Sequence, residues 1–182
     1  MQEWDDKEII ERVKIPGNEE IAFNQLVQKY QERLYWHIRK IVIGHDDSDD
    51  VLQNVLIKVW RSLPEFRSDS SLYTWLYRIA TNEALTYLKQ KKKRTFAPWI
   101  EVEYKMSETL ESDPWFDGDE IQLKLQQAIL KLPDKQRIVF NMKYFDQVKY
   151  EDMAVILDTS IGALKASYHH AVKKIEAMLG DD

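Results

Sequence analysis

The sequence has no cysteine and only five glycines and five prolines in 182 residues. Without cysteine the chain can form no disulfide framework and no thiolate metal site, which is typical of the reducing cytoplasm. No apolar run approaches the roughly 20 residues that span a bilayer. The acidic residues 1–6 also differ from a signal peptide. We therefore expect a cytoplasmic protein that is not inserted in a membrane.

Patterns for metal, phosphate and covalent chemistry are missing as well. The four histidines never form a His-Glu-x-x-His pair or another zinc-like spacing. The acidic cluster 45–50 lacks the central glycine and the terminal glutamate of a calcium loop. The glycines are scattered singly, and no order of serine, histidine and aspartate suggests a nucleophile. We expect no metal, no cofactor and no enzymatic activity.

What the sequence does contain favours long helices. Hydrophobic residues make up 44% of the chain and aromatic residues 12%, which is enough apolar surface for real cores. The scarcity of glycine and proline leaves helices uninterrupted, and no strand pattern exceeds a few residues. The composition therefore predicts an all-α fold.

Charge divides the chain into three parts. Residues 1–94 and 121–182 each carry a net charge of +1, whereas residues 95–120 carry −7 and contain two prolines. This acidic stretch has little apolar periodicity and is predicted to link two small helical domains. Within the first domain, residues 70–94 carry +5, which indicates where a polyanion could bind.

Three helices are predicted in the first domain. Apolar residues recur at three- and four-residue steps from Phe23 onward, which is typical of an amphipathic helix. A second helix is predicted to begin with Ser48 as its N-cap and to end at Pro64. A third is predicted to begin near Leu72 and to run into the basic residues Lys91–Arg94.

The C-terminal domain is predicted to contain four short helices. The last two are joined by the polar turn Asp158–Ser160, and the final helix carries Lys173 and Lys174. This spacing is typical of a helix-turn-helix, with Ser160 as a good N-cap.

One tract of the first domain suits unpaired DNA. Residues 66–78 interleave aromatic rings, hydroxyls and arginines ahead of the basic run. Aromatic faces stack on exposed bases for roughly 1–3 kcal/mol each while cations hold the backbone. Two other interpretations stay open: Tyr73, Trp75 and Tyr77 pack against neighbouring helices, and the basic run is a solvated helix end.

Ile57 is an apolar side chain on a polar helix face, among Asp50, Gln53, Asn54 and Arg61. Such a residue can mark a partner surface. A single exposed isoleucine is also ordinary.

These tracts together resemble an extracytoplasmic-function sigma factor, the two-domain branch of the sigma-70 family. The string Asp49–Asn54, continued to Trp60, resembles region 2.2, which docks on RNA polymerase. Residues 66–82 resemble the segment that melts and reads the minus-ten element. Leu132–Arg137 and the helix-turn-helix resemble region 4, which reads the minus-thirty-five element.

The resemblance implies a region 2 domain at 1–94, an acidic linker at 95–120 and a region 4 domain at 121–182. It implies a sigma factor that directs RNA polymerase core to specific promoters and assists promoter melting. Its partners would be core polymerase and promoter DNA, and an anti-sigma factor is a further candidate. We expect a monomer.

The resemblance also implies three sets of site residues. For polymerase docking they are Asp49, Asp50, Gln53, Asn54 and Ile57. For the minus-ten element they are Arg67, Ser68, Asp69, Ser70, Tyr73, Trp75, Tyr77, Arg78, Asn82, Lys89, Lys92 and Lys93. For the minus-thirty-five element they are Ser160, Gly162, Ala163, Lys165, Ala166, Ser167, His169, His170 and Lys173. The chain departs from the family pattern at Asn54, Ser68, Ser167, His170 and Val172.

Two alternative functions remain open. One is a stand-alone helix-turn-helix regulator whose N-terminal bundle senses a ligand or mediates dimerisation. The other is a structural adaptor that binds only proteins. A helix-turn-helix serves many regulators and does not separate these functions by itself. The tract at residues 49–82 does, because a regulator would not need it.

Overall fold

A computed structural model of the protein describes residues 4–95 and 120–180, which form eight α-helices and no β-strand. The predicted all-α class is therefore confirmed. The acidic segment predicted to be a linker lies outside the described residues except at its two ends. The helices are α1 (Asp6–Arg12), α2 (Glu19–Val42), α3 (His45–Ser62), α4 (Leu72–Thr95), α5 (Glu120–Leu130), α6 (Asp134–Tyr144), α7 (Tyr150–Leu157) and α8 (Ile161–Gly180).

α2 is the central helix of the first domain, because it contacts α1, α3 and α4, and it is amphipathic as its apolar period predicts. Leu26, Leu34 and Ile38 lie along one side of the helix and are fully buried, and α2 contacts both α3 and α4. Burying a leucine or isoleucine side chain contributes roughly 1.5–3 kcal/mol. This stripe therefore decides which side of α2 faces the core.

α3 begins at His45, earlier than the sequence predicts. Gly44 is the N-cap, and Asp46 and Asp47 are the acidic residues of the first turn. Ser48 is buried inside the helix, and its hydroxyl donates to the carbonyl oxygen of Gly44 at 2.5 Å. The prediction of Ser48 as N-cap is wrong, because its hydroxyl and its backbone N–H both bond to the residue four positions earlier.

α7 and α8 form the predicted helix-turn-helix. Asp158 adopts a left-handed conformation with φ of 48°, which ends α7 and turns the chain. The backbone N–H of Ala163 donates to Oγ of Ser160 at 3.3 Å. The prediction of Ser160 as N-cap of the last helix is confirmed.

The main hydrophobic core runs through both domains. Leu76 and Tyr77 of α4 belong to the same buried cluster as Met142 of α6 and Met153 of α7, and α4 contacts α7 directly. A second cluster, around Phe140, lies within the C-terminal domain. None of the helices in the described part of the chain is long and apolar enough to cross a membrane.

Candidate polymerase-docking and nucleic-acid interfaces

Four of the five predicted docking residues form one exposed strip on α3, which we call the α3 strip: Asp50, Gln53, Asn54 and Ile57. Steps of three and four residues place side chains on the same helix face. Ile57 is 49% exposed, so this face presents an apolar side chain among polar ones. The opposite face of α3 holds the buried valines at 51, 55 and 59.

Asp49, the fifth predicted residue, lines a cavity of about 430 Å³ next to the α3 strip. There its carboxylate is 3.6 Å from Nε2 of His45, whose Nδ1 bonds to the Tyr35 hydroxyl at 2.7 Å. Trp36 also lines this cavity and is 40% exposed. No local pattern in the sequence predicts this aromatic cluster, because its members come from two helices.

The loop before α4 is built around two serines. Ser68 has a φ of 61°, a left-handed conformation that residues other than glycine rarely adopt. Ser71 caps α4, because its Oγ accepts from the backbone N–H of Thr74 at 3.1 Å. Arg67 and Asp69 are exposed on the loop.

A cavity of about 450 Å³ lies between this loop and α1. Its lining includes Lys7, Ile10, Lys14, Ser68, Ser70 and Leu72. Asn82, another member of the predicted minus-ten set, is not among the lining residues. Ten residues of helix separate Asn82 from Leu72, a rise of roughly 15 Å.

The aromatic residues of the tract differ in their exposure. Trp75 is partly buried and packs against Phe66 at a ring distance of 5.0 Å. Tyr77 is only 2% exposed and lies 4.7 Å from the ring of His37. Burial raises the pKa of the Tyr77 hydroxyl. In this arrangement Tyr77 offers no face for stacking a base, as the packing interpretation expects.

The polar residues of α4 form a continuous exposed face, the α4 face: Arg78, Asn82, Lys89 and Lys93. Their spacing of four and seven residues aligns them along the helix. Lys92 lies beside this face, and its Nζ donates to Oδ2 of Asp134 in the C-terminal domain at 2.9 Å.

The C-terminal domain contacts α4 beside the α4 face, and it also contacts α2. Oγ1 of Thr74 donates to Oδ1 of Asp152 at 3.0 Å. Asp146 pairs with Lys40, and its Oδ2 lies 3.3 Å from Nδ1 of His37. Burial favours a raised pKa for Asp146, but hydrogen bonds from His37 and Lys40 outweigh it and hold that pKa below its usual value. No sequence motif marks these residues, so the sequence alone does not predict them.

On α8, the residues predicted to read duplex DNA lie on the side away from the core. Leu164, Ala171 and Ile175 point inward and are buried. Ser167 is partly buried. The exposed members of the predicted set are Ser160, Gly162, Ala163, Lys165, Ala166, His169, His170 and Lys173.

Family models match both halves of the chain. The model for Sigma-70 region 2 matches residues 26–94, and the model for Sigma-70, region 4 matches residues 122–175. The α3 strip and the α4 face lie in the first match. The exposed residues of the predicted minus-thirty-five set lie in the second.

Curated relatives cover nearly the whole chain. The RNA polymerase sigma-H factor of Pseudomonas aeruginosa is 30% identical over 182 residues, which cover 96% of this chain and 93% of the relative. The ECF RNA polymerase sigma-E factor of Escherichia coli is 31% identical over 181 residues, which cover 94% and 92%.

Solved structures share the fold. The structure of CnrH in complex with the cytosolic domain of CnrY matches with a TM-score of 0.70 and 22% identity, over 97% of this chain and 98% of that chain. The sigma factor RpoE in complex with the anti-sigma factor NepR from Bartonella quintana matches with a TM-score of 0.68 and 20% identity, over 88% and 98%. The chain belongs to the extracytoplasmic-function sigma factors of the sigma-70 family, and its function is promoter-specific initiation of transcription by RNA polymerase.

Proposed function

We propose that three surfaces of this sigma factor divide the work of initiation: the α3 strip binds core polymerase, the α4 face binds the melted minus-ten element, and α8 binds the minus-thirty-five element. The observation that carries this proposal is that one chain presents an exposed polar-apolar strip and two separate cationic helix faces. The sigma factor contributes binding energy and performs no covalent chemistry.

The α3 strip has the composition of a protein-docking surface. Ile57 is an exposed apolar side chain, and Gln53 and Asn54 beside it can each donate and accept hydrogen bonds. Truncating an apolar anchor surrounded by polar groups usually costs more than truncating its neighbours. A stand-alone regulator, our alternative function, has no need of such a strip.

The α4 face suits the backbone and bases of a single strand. Arg78, Lys89 and Lys93 can follow phosphates, and the amide of Asn82 can pair with a base edge. Extruding a base costs a few kcal/mol of stacking. A surface that recovers this cost for one base only would make promoter opening depend on that base.

α8 has few cations for a duplex-binding helix. Lys165 and Lys173 are exposed there, and His169 and His170 stand between them. Because phosphate contacts supply most of the affinity for DNA, the isolated domain should bind duplex weakly. Strong binding would then need the additional contacts of polymerase.

The proposed partners include an anti-sigma factor, since one solved neighbour, the sigma factor RpoE, is in complex with the anti-sigma factor NepR. We place the protein in the cytoplasm, where polymerase and promoters are found. We also propose that it acts as a monomer, one copy for each polymerase.

Run-off transcription with purified core polymerase and a promoter library tests the proposal. Transcripts should appear only when the chain is added, and the chain should elute with core polymerase in gel filtration. A chain that binds duplex promoter DNA tightly but neither binds core nor supports transcription would be the stand-alone regulator instead. A chain that binds neither DNA nor core would be the adaptor.

A further inference from the structure

Two adjacent histidines lie on the outward face of α8. His169 and His170 are both exposed, and their ring centroids lie 5.9 Å apart. Leu164, Ala171 and Ile175 are buried on the opposite side of the helix and hold it against the core. The two imidazoles therefore face the solvent, on the side of α8 that we assign to duplex DNA.

We propose that this pair is a proton-dependent contact for duplex DNA: the imidazolium forms of His169 and His170 bind hydrogen-bond acceptors of the minus-thirty-five element, and the neutral forms bind them weakly. The inference rests on the proposed role of α8 and goes beyond it, because it makes the affinity of the sigma factor for promoters depend on pH. The ligand atoms are phosphate oxygens or the N7 and O6 atoms of guanine, which are all acceptors.

The charge on an imidazole decides how many hydrogen bonds it can donate. A neutral imidazole has one N–H donor and one acceptor nitrogen, whereas an imidazolium has two donors. Histidine is the side chain that ordinarily changes its charge near neutral pH. Hydrogen bonds from a charged donor are roughly twice as strong as those between neutral groups. Loss of a proton therefore removes both a donor and a positive charge from each imidazole.

Few other cations lie on α8, so two protons change its charge substantially. The helix carries three lysines, Lys165, Lys173 and Lys174, and one acid, Glu176. Its formal charge is therefore +2 when both histidines are neutral and +4 when both are protonated. Because contacts with phosphate supply much of the affinity for DNA, doubling this charge should strengthen binding to a duplex.

The histidines share one helix face with two of the lysines. Steps of four residues place Lys165, His169 and Lys173 along one line of α8, and His170 lies beside that line. Ala166 is exposed one turn before both imidazoles, and its small side chain leaves room for a base edge or a sugar. The two imidazoles and two of the ammonium groups can therefore meet the same stretch of duplex.

The helices that contact α8 are α5, α6 and α7. In the part of the chain that the structure describes, no ion pair or hydrogen bond joins either imidazole to these helices. Tyr150 of α7 approaches α8 at Lys165, one turn before His169, with the ammonium group 5.7 Å from its ring centroid. The charged residues of the three helices whose side chains are described are Lys124, Asp134, Lys135, Arg137, Lys143, Glu151 and Asp152. None of these carboxylates binds an imidazolium of the pair, so an anionic group of DNA can do so.

Two variants that fix the charge of the pair test the proposal. His169→Gln/His170→Gln is neutral at every pH, and His169→Arg/His170→Arg is always charged. Both place good helix formers at exposed positions, so their melting temperatures should stay near that of the wild type. Each chain is bound to core polymerase, and fluorescence anisotropy measures the affinity of this holoenzyme for an upstream duplex that contains the minus-thirty-five element of a promoter selected by run-off transcription.

The wild-type affinity should move from that of one variant to that of the other as the pH falls. Because the charged form binds, binding takes up protons, and the affinity increases at lower pH. The ratio of the wild-type affinity to that of the glutamine variant should be near 1 at about pH 8 and at least about 5 at about pH 6. Taking this ratio at each pH removes the titration of every other group in the holoenzyme.

Two further measurements identify the acceptor. If the imidazolium groups bind phosphate, the slope of log affinity against log salt should steepen by about 1 for each of them between about pH 8 and about pH 6. If they bind guanine, the gain at low pH should be lost when 7-deazaguanine, which lacks the N7 acceptor, replaces guanine in the duplex. Either result supports the proposal. A gain at low pH with neither change would overturn it, because no acceptor of the DNA would then bind the pair.

A ratio of wild-type to glutamine-variant affinity that stays constant across the pH series also overturns the proposal. The arginine variant then shows where the failure lies. If it binds the duplex more tightly than the glutamine variant, α8 contacts DNA and only the role of the protons is wrong. If the arginine and glutamine variants bind equally at every pH, the proposed function of α8 fails together with the inference.

Discussion

Nδ1 of His37 on α2 lies 3.3 Å from Oδ2 of Asp146, although the two residues are 109 positions apart in the chain. His37 is buried in the first domain, and Asp146 follows α6 in the second domain. The pair therefore joins the domain that carries the α3 strip to the domain that carries the helix-turn-helix. The pKa of Asp146 therefore depends on the contact between the two domains.

The lowered pKa of Asp146 predicts how stability depends on pH. A carboxylate whose folded pKa lies below its unfolded value, about 3.9, stabilises the fold above that value. This stabilisation is lost as the pH falls through the folded pKa. We expect the unfolding free energy of Asp146→Asn to decrease less than that of the wild type as the pH is lowered from about 5. Urea unfolding at a series of pH values measures it. If the unfolding free energies of the two proteins depend on pH with the same slope, the pKa of Asp146 is not lowered in the fold.

The α3 strip predicts a loss of core binding without a loss of folding. Gln53→Lys/Ile57→Lys should weaken binding to core polymerase by at least about tenfold, or about 1.4 kcal/mol, because it places two charges in a docking surface. The matched control is Gln28→Lys/Ile21→Lys, the same changes at exposed positions of α2. Binding is measured by fluorescence anisotropy, and both melting temperatures should stay near that of the wild type. If the two variants bind equally well, the strip does not dock.

The positive φ of Ser68 predicts that replacing this serine by glycine does not destabilise the fold. At a φ of 61° a serine is strained by roughly 1 kcal/mol, and glycine is not. Because glycine also loses more chain entropy on folding, we expect Ser68→Gly to be neutral or to stabilise by up to about 1 kcal/mol. Ser68→Val should destabilise by more than about 1 kcal/mol. Urea unfolding measures both, and a clear loss with glycine would rule out strain at this position.

Asn82 predicts a change in promoter preference. Asn82→Ala should alter or abolish the preference at one minus-ten position in run-off transcription from a promoter library, with core binding unchanged. The control Asn24→Ala makes the same change at an exposed position of α2. An unchanged preference profile would mean that Asn82 serves only its own helix.

The exposed position of Lys165 predicts that its removal changes the salt dependence of binding to duplex DNA. A lysine that contacts phosphate changes the slope of log affinity against log salt by about 1 when it is removed. Lys165→Ala should therefore lower the slope for minus-thirty-five duplex binding by the holoenzyme, whereas Lys131→Ala, at an exposed position after α5, should not. Equal slopes for Lys165→Ala and the wild type would exclude a phosphate contact.

Local patterns were sufficient for much of the fold. The apolar period beginning at Phe23 predicts α2, and the turn before Ser160 predicts the start of α8, because both depend on neighbouring residues in one helix. Local patterns do not predict the start of α3 correctly. Several residues near Ser48 can cap a helix, and only the folded backbone selects Gly44.

By itself, then, the amino-acid sequence determined the helical class, the acidic segment between two helical parts, and the motifs that identify the family. The tertiary structure alone decided that Tyr77 is buried and that Asp146 meets His37. The physical reason is distance along the chain. Helix periods and caps involve residues a few positions apart, whereas a contact between α2 and the loop after α6 has no period and forms only when separate apolar faces pack together.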